Sequence, residues 1–220
     1  MNDVSSQESP TTKHVAISGN IGAGKTALTE VLGEYYDWHT VYEEVDDNPY
    51  LTDFYNDMRR WSFNLQVFFL SKRFEQLQRI SEMDTSVVQD RSIYEDAHIF
   101  ARNLYEMGHM SGRDYKNYTD LFSIMTTHLQ PPSLLIYLRA SVPTLVNHIQ
   151  QRGREFESTI RIDYLERLQG HYDEWIESYD RGPKLIIDVD ERDFVGEEDD
   201  RRSVLNQIES RLFGLFPDEQ

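Results

Sequence analysis

The sequence predicts an α/β fold, a five-stranded doubly wound parallel sheet flanked by helices. Three observations carry it. Five short apolar runs recur along the chain with helical patterns between them, the alternation that builds a parallel sheet covered on both faces. The first run passes directly into a glycine-rich turn, Gly19-Asn-Ile-Gly-Ala-Gly24-Lys25-Thr26. Acids stand where the second and third runs end, at Glu43 and Asp90, the side of such a sheet on which ligands bind.

The elements follow in order. Residues 1–12 are polar, carry no apolar stretch of the signal-peptide kind and read as a disordered leader. His14 to Ser18 is a buried strand, and a helix follows over 25–36. A second strand fits 40–43, and Asn48-Pro49 opens a short helix through Tyr55. Residues 60–82 form a long helix with Trp61, Leu65, Phe68, Phe69 and Leu77 on or near one face. Ser86 to Asp90 is the third strand, followed by helices over 93–107 and 112–129. Ser133 to Leu138 is the fourth strand, with helices over 142–152 and 162–179 behind it. Lys184 to Asp188 is the fifth strand, and a helix over 199–214 closes the chain. No repeat or linker divides residues 13–220, so they read as one domain.

Composition narrows the classes. The 220 residues include no cysteine, which excludes disulfides and thiolate metal sites and fits a reducing cytoplasm. A formal charge of −17 argues against a protein that grips a nucleic-acid backbone. No apolar run approaches the ~20 residues needed to cross a bilayer. An anionic ligand must therefore be met by local cations and backbone N–H groups against an unfavourable overall field.

The turn supplies them. It matches G-x-x-x-x-G-K-[ST] between a strand and a helix, the context a phosphate-binding P-loop requires. Gly19, Asn20, Ile21, Gly22, Ala23 and Gly24 can wrap backbone N–H groups around a phosphate, and the helix N-terminus adds its dipole. Lys25 neutralises the β and γ oxygens of ATP, and the Thr26 hydroxyl can ligate Mg²⁺. The motif leaves the reaction open. A GTPase switch would carry an N-K-x-D base-reading motif, which is absent. A small P-loop chain with arginines near its C-terminal third, here Arg152 and Arg154, points to a nucleoside or nucleotide kinase.

Four further stretches sharpen the reading: Glu43-Glu44-Val45, Tyr55 ahead of Trp61-Ser-Phe-Asn-Leu-Gln66, Asp90-Arg91-Ser92-Ile-Tyr-Glu-Asp96, and Arg152-Gly-Arg154-Glu-Phe-Glu157. In this order they resemble the deoxyribonucleoside kinase family, and Asn48-Pro-Tyr-Leu with Asp90-Arg-Ser is most similar to its bacterial deoxyadenosine/deoxyguanosine kinase branch. The resemblance runs from about Val15 to Phe194. Two departures are Glu44, where many relatives have proline, and Asp90, where other branches have glutamate.

The chemistry then needs a base for a 5′-hydroxyl, and both Glu43 and Asp90 qualify by their position. Glu43 is favoured; by analogy Asp90 holds Mg²⁺ with Thr26. Arg91 should pair with the base or with charge developing on the phosphoryl group. The resemblance makes residues 152–161 a lid whose Arg152 and Arg154, with Arg161 less directly, close on the transferred phosphate. Gln66 lies in an apolar helix, where it is either a core amide bonded to backbone or a bidentate reader of an adenine edge. Arg73, on the same face, is placed to pair with Asp96, a pair that by family analogy favours purines or deoxycytidine over thymidine. Phe100 stacks on the base, with Phe69 the other aromatic in place. Tyr55 and Glu157 match family positions that hold the sugar 3′-hydroxyl, and Asp193-Phe194 would border the ATP adenine.

The expected reaction is ATP-dependent phosphorylation of a deoxyribonucleoside in salvage, with deoxyadenosine favoured on the resemblance and deoxyguanosine or deoxycytidine left open. Relatives pair as homodimers, and helices 93–107 and 112–129 carry apolar residues suited to it. The alternatives are a nucleoside monophosphate kinase of the thymidylate kinase type and a non-catalytic nucleotide-binding protein. The acids Glu43, Glu44, Asp46 and Asp47 favour a neutral acceptor over an anionic one.

Overall fold

The computed structural model describes residues 12–43, 48–154 and 160–214. Its centre is one sheet of five parallel strands: β1 (His14–Gly19), β2 (His39–Val41), β3 (Val87–Asp90), β4 (Leu134–Arg139) and β5 (Lys184–Asp188), in the order β2-β3-β1-β4-β5. The strand that feeds the glycine-rich turn is therefore central, with β3 on one side and β4 on the other. Ile17 pairs in register with Asp90 and Gly19 with Leu138, so the turn and Asp90 emerge together from the same end of the sheet.

Side chains alternate across β1 and build two cores. Val15 and Ile17 face the helices α1 (Lys25–Tyr36), α7 (Val142–Arg152) and α9 (Glu198–Phe213), packing with Leu28, Leu32, Leu145 and Val204. Ala16 faces the opposite layer, which contains α3 (Met58–Ser81), α6 (Gly112–Thr126) and α8 (Ile162–Ser178), with Leu65, Tyr118 and Tyr172. Three shorter helices complete that layer: α2 (Leu51–Asn56), α4 (Ile93–Glu95) and α5 (Arg102–Glu106). Burial on both faces explains why β1 and β4 read as nearly continuous apolar runs. No described helix is long and apolar enough to cross a membrane.

Most helices end where their sequences say. Asp57 caps α3 by accepting from Arg60 N at 3.1 Å, and Ser111 caps α6 by accepting from Asp114 N at 3.2 Å. Three boundaries differ from expectation. β2 stops at Val41, not Glu43: only three residues pair with β3, and the next carbonyl, Tyr42 O, accepts from Gln76 Nε2 of α3 at 2.9 Å. The helix expected over 93–107 is interrupted by a π-helical segment, Asp96–Ala101, between α4 and α5. The helix expected to reach residue 129 ends at Thr126, whose hydroxyl turns back to Phe122 O at 2.8 Å.

Candidate active site

The turn after β1 has the backbone a P-loop needs. Gly22 and Gly24 have φ +86° and +92°, a region costly for residues with a Cβ. A Cβ at Gly22 would lie 2.7 Å from Leu145 O, so the loop has no room for one. Lys25 is buried and donates to Gly19 O at 2.8 Å and Asn20 O at 2.9 Å, folding its ammonium over the loop. Burial, reinforced by the Arg91 cation, pulls its pKa down to about 8.

Behind the loop, Thr26 Oγ1 donates to Asp90 Oδ2 at 2.6 Å. Asp90 Oδ1 is buried without a hydrogen-bond partner. A bare carboxylate oxygen beside a hydroxyl on the P-loop helix fits a hard cation such as Mg²⁺, which takes oxygen ligands and keeps most of its shell from water and phosphate. Among the described residues there is no group of three or more acidic, histidine or cysteine side chains that could hold a metal ion.

Glu43 follows β2 and is 22% exposed at its side chain. Its Oε1 accepts from Arg73 at 2.9 Å and lies 3.0 Å from Arg91 Nε. The Arg91 contact is an ion pair whose N–H is not aligned for a hydrogen bond. Burial pushes the Glu43 carboxyl up, but Arg91, then Arg73 and Lys25, outweigh it and hold the group at about 2. Arg73 reaches the second acid as well, with Nε 3.3 Å from Asp96 Oδ2. Burial dominates at Asp96 and raises its carboxyl to about 6 against the pull of Arg73.

Arg91 adopts φ +73°, a left-handed backbone uncommon for a side-chain-bearing residue, and its guanidinium lies 4.7 Å over the Phe100 ring. The π-helical segment begins at Asp96 and carries Phe100, and both side chains line the cleft; such segments are frequent at functional sites.

All this opens into one cleft of about 1270 Å³. Of the residues singled out in the sequence, the P-loop from Ile21 to Thr26, Glu43, Tyr55, Gln66, Asp90, Arg91, Asp96 and Phe100 line it, as do Arg152, Arg154, Asp193 and Phe194 at the other end. Gly19 and Asn20 stand at its base and Arg73 behind its wall, bound to Glu43 and Asp96. Gln66 is 4% exposed and its Oε1 has no partner. A core amide bonded to backbone would have filled that oxygen. Phe69 also lines the cleft, so the structure leaves both aromatics available. Phe194 approaches the loop, its Cζ 3.3 Å from where a Gly24 Cβ would sit. The Asp193 carboxylate is turned into its own loop, accepting from Val195 N and Gly196 N at 3.2 and 2.8 Å. Arg161 caps α8 and pairs with the exposed Asp163 at 2.8 Å, away from the cleft lining. Glu157 lies outside the described residues, as do Glu44, Asp46 and Asp47.

The sequence reading missed Glu95, His148 and Tyr172. His148 Nδ1 lies 2.8 Å from Gly22 O, joining α7 to the P-loop. Glu95 is wholly buried against Arg91 and Tyr172. The signal for Glu95 was present: Ser92-x-x-Glu95 has capping-box spacing, and Glu95 Oε2 accepts from Ser92 N at 2.7 Å. Nothing local in the sequence marks His148 or Tyr172, whose partners are distant along the chain.

A P-loop on the central strand, an acid at the end of β3 with another just past β2, and arginines flanking the cleft define an ATP-dependent phosphotransferase. Comparison with known proteins specifies it. The deoxynucleoside kinase family matches residues 15–212, and the chain belongs to that family. It is 40% identical to the deoxyadenosine/deoxycytidine kinase of Bacillus subtilis (strain 168), over 91% of this chain and 94% of that protein. It is also 40% identical to a deoxyguanosine kinase of Lactobacillus johnsonii, over 93% and 96%. The solved deoxyadenosine kinase of M. mycoides with bound dATP superposes with a TM-score of 0.79 at 27% identity, covering 90% of this chain and all of that one.

Proposed function

We propose that the chain transfers the γ-phosphoryl group of ATP to the 5′-hydroxyl of a deoxyribonucleoside in nucleotide salvage, with deoxyadenosine the preferred acceptor. The observation that carries this is the unpartnered Gln66 Oε1 on the cleft wall, within a site whose Glu43 carboxylate is kept ionised. A carboxamide that offers an acceptor and a donor matches the edge of an adenine.

Glu43 accepts the proton of the attacking hydroxyl. Asp90 and Thr26 would hold Mg²⁺, which would supply charge neutralisation on the triphosphate. Lys25 and the backbone of Gly19 to Gly24 hold the triphosphate, and Arg91 stabilises the charge that develops as the γ-phosphoryl moves. Arg152 and Arg154 close from the end of α7, with residues 152–161 as the lid of a single domain spanning 13–220. Arg73 and Asp96 set the base preference, Phe100 stacks on the base, Tyr55 and Glu157 hold the sugar, and Phe194 with Asp193 borders the adenine of ATP.

Both arginines on the acceptor side already carry carboxylate partners, Arg73 with Glu43 and Asp96, and Arg91 with Glu43 and Glu95. That arrangement suits a neutral acceptor better than a monophosphate. A homodimer in the cytoplasm completes the reading, supported by the exposed Tyr105, Leu121 and Ile124 on α5 and α6 and by the cysteine-free composition. A coupled assay of ADP release tests the function. Turnover with a deoxynucleoside but not with its monophosphate supports it, and the reverse pattern makes the chain a nucleotide kinase.

A further inference from the structure

Glu95 is wholly buried and lies outside the cleft lining, so it meets no substrate directly. A buried carboxylate persists only when its oxygens are filled. Here Oε1 accepts from the Tyr172 hydroxyl at 2.7 Å, Arg91 at 3.5 Å and Gly19 N at 3.4 Å, while Oε2 takes Ser92 N at 2.7 Å. Tyr172 is equally buried and accepts from the same Arg91 nitrogen at 3.1 Å while donating to Glu95. Arg91 is thus gripped at one edge by Glu95 and Tyr172, at the other by Glu43, and on its face by Phe100.

We propose that Glu95 and Tyr172 are positioning residues for the phosphoryl transfer: they aim the Arg91 guanidinium at Glu43 and the reacting phosphate, and tie that aim to the start of the P-loop and to α8. The argument rests on the part given to Arg91 in the proposed reaction. Three pieces of chain meet at one carboxylate: the end of β1 through Gly19, the step into α4 through Arg91 and its N-cap Ser92, and α8 through Tyr172.

A double-mutant cycle tests this. Tyr172→Phe keeps the ring stacked on Tyr137 and removes only the hydroxyl. In the native background it should lower kcat about tenfold with the KM for ATP unchanged. In an Arg91→Lys background it should lower kcat no further, because it acts through a guanidinium no longer present. Glu95→Gln should behave in the same way, and it decides the matter if Tyr172→Phe does not fold. An unaltered kcat, or the same fold loss in both backgrounds, overturns the proposal. The underlying reading fails separately: if Arg91→Lys alone leaves kcat unchanged, Arg91 has no part in the transfer and the proposal falls with it.

Discussion

Arg91 places its Nε 3.0 Å from Glu43 Oε1, on the same oxygen that accepts a hydrogen bond from Arg73. Two cations beside one carboxylate oxygen hold the Glu43 carboxyl down to about 2 against the effect of burial, which also makes it a weak base. That combination suits phosphoryl transfer, in which the attacking hydroxyl can remain largely protonated until late in a loose transition state. In the proposed reaction Glu43 orients the nucleophile and receives its proton at the end. A strongly basic group is unnecessary.

Replacing Glu43 by Gln removes the proposed proton acceptor and preserves the shape of the site. kcat should fall about a hundredfold or more, while ATP affinity, which depends on the P-loop, stays within about twofold. Steady-state kinetics with a direct ATP-binding measurement checks this. An unchanged kcat would move the base to Asp90.

Gln66→Ala removes the amide that faces the cleft from α3. The KM for the deoxynucleoside should rise about tenfold, in line with losing a matched bidentate contact, and ATP affinity should be spared. Equal weakening of both ligands would mark Gln66 as a core residue that supports the helix.

Asp96 titrates within reach of experiment. Its folded pKa of about 6 lies above its ordinary value of 3.8. Its contribution to stability is therefore full below pH 3.8 and lost as the pH rises through about 6. Ionisation in turn supplies the charge that holds Arg73. kcat/KM for the deoxynucleoside should fall as the pH drops through about 6, and the inflection should vanish in Asp96→Asn. A native profile flat through that range would show that the Arg73–Asp96 pair does not govern nucleoside binding.

Lys25 gives the opposite limb. Its pKa near 8 in the free protein means the ammonium that meets the triphosphate is lost above that pH. kcat/KM for ATP should therefore decline on the alkaline side, whereas kcat at saturating ATP should not, because the bound phosphates hold the proton on. Measuring both parameters from neutral to alkaline pH separates them, and parallel declines would assign the limb to another group.

The sheet and the P-loop were legible because local patterns encode them: continuous apolar runs for doubly buried strands, and fixed glycines for a loop whose backbone leaves no room for a Cβ. Positions of the acids at strand ends were legible for the same reason, although β2 proved too short to carry Glu43 itself. The links between elements were not. Arg73 bonds to Glu43 and Asp96 from α3, and Tyr172 reaches Glu95 from α8, contacts made across the fold that no spacing reports. The π-helical segment was invisible because Asp96–Ala101 has ordinary helical composition.

In the proposed reaction a neutral deoxynucleoside hydroxyl receives the γ-phosphate in this cleft. The most direct measurement is kcat/KM for the four deoxynucleosides and for deoxyadenosine monophosphate, with ATP and Mg²⁺ at saturation. Deoxyadenosine should be the best acceptor and thymidine the poorest of the four, with no turnover of the monophosphate. Faster phosphorylation of the monophosphate than of its nucleoside would contradict it.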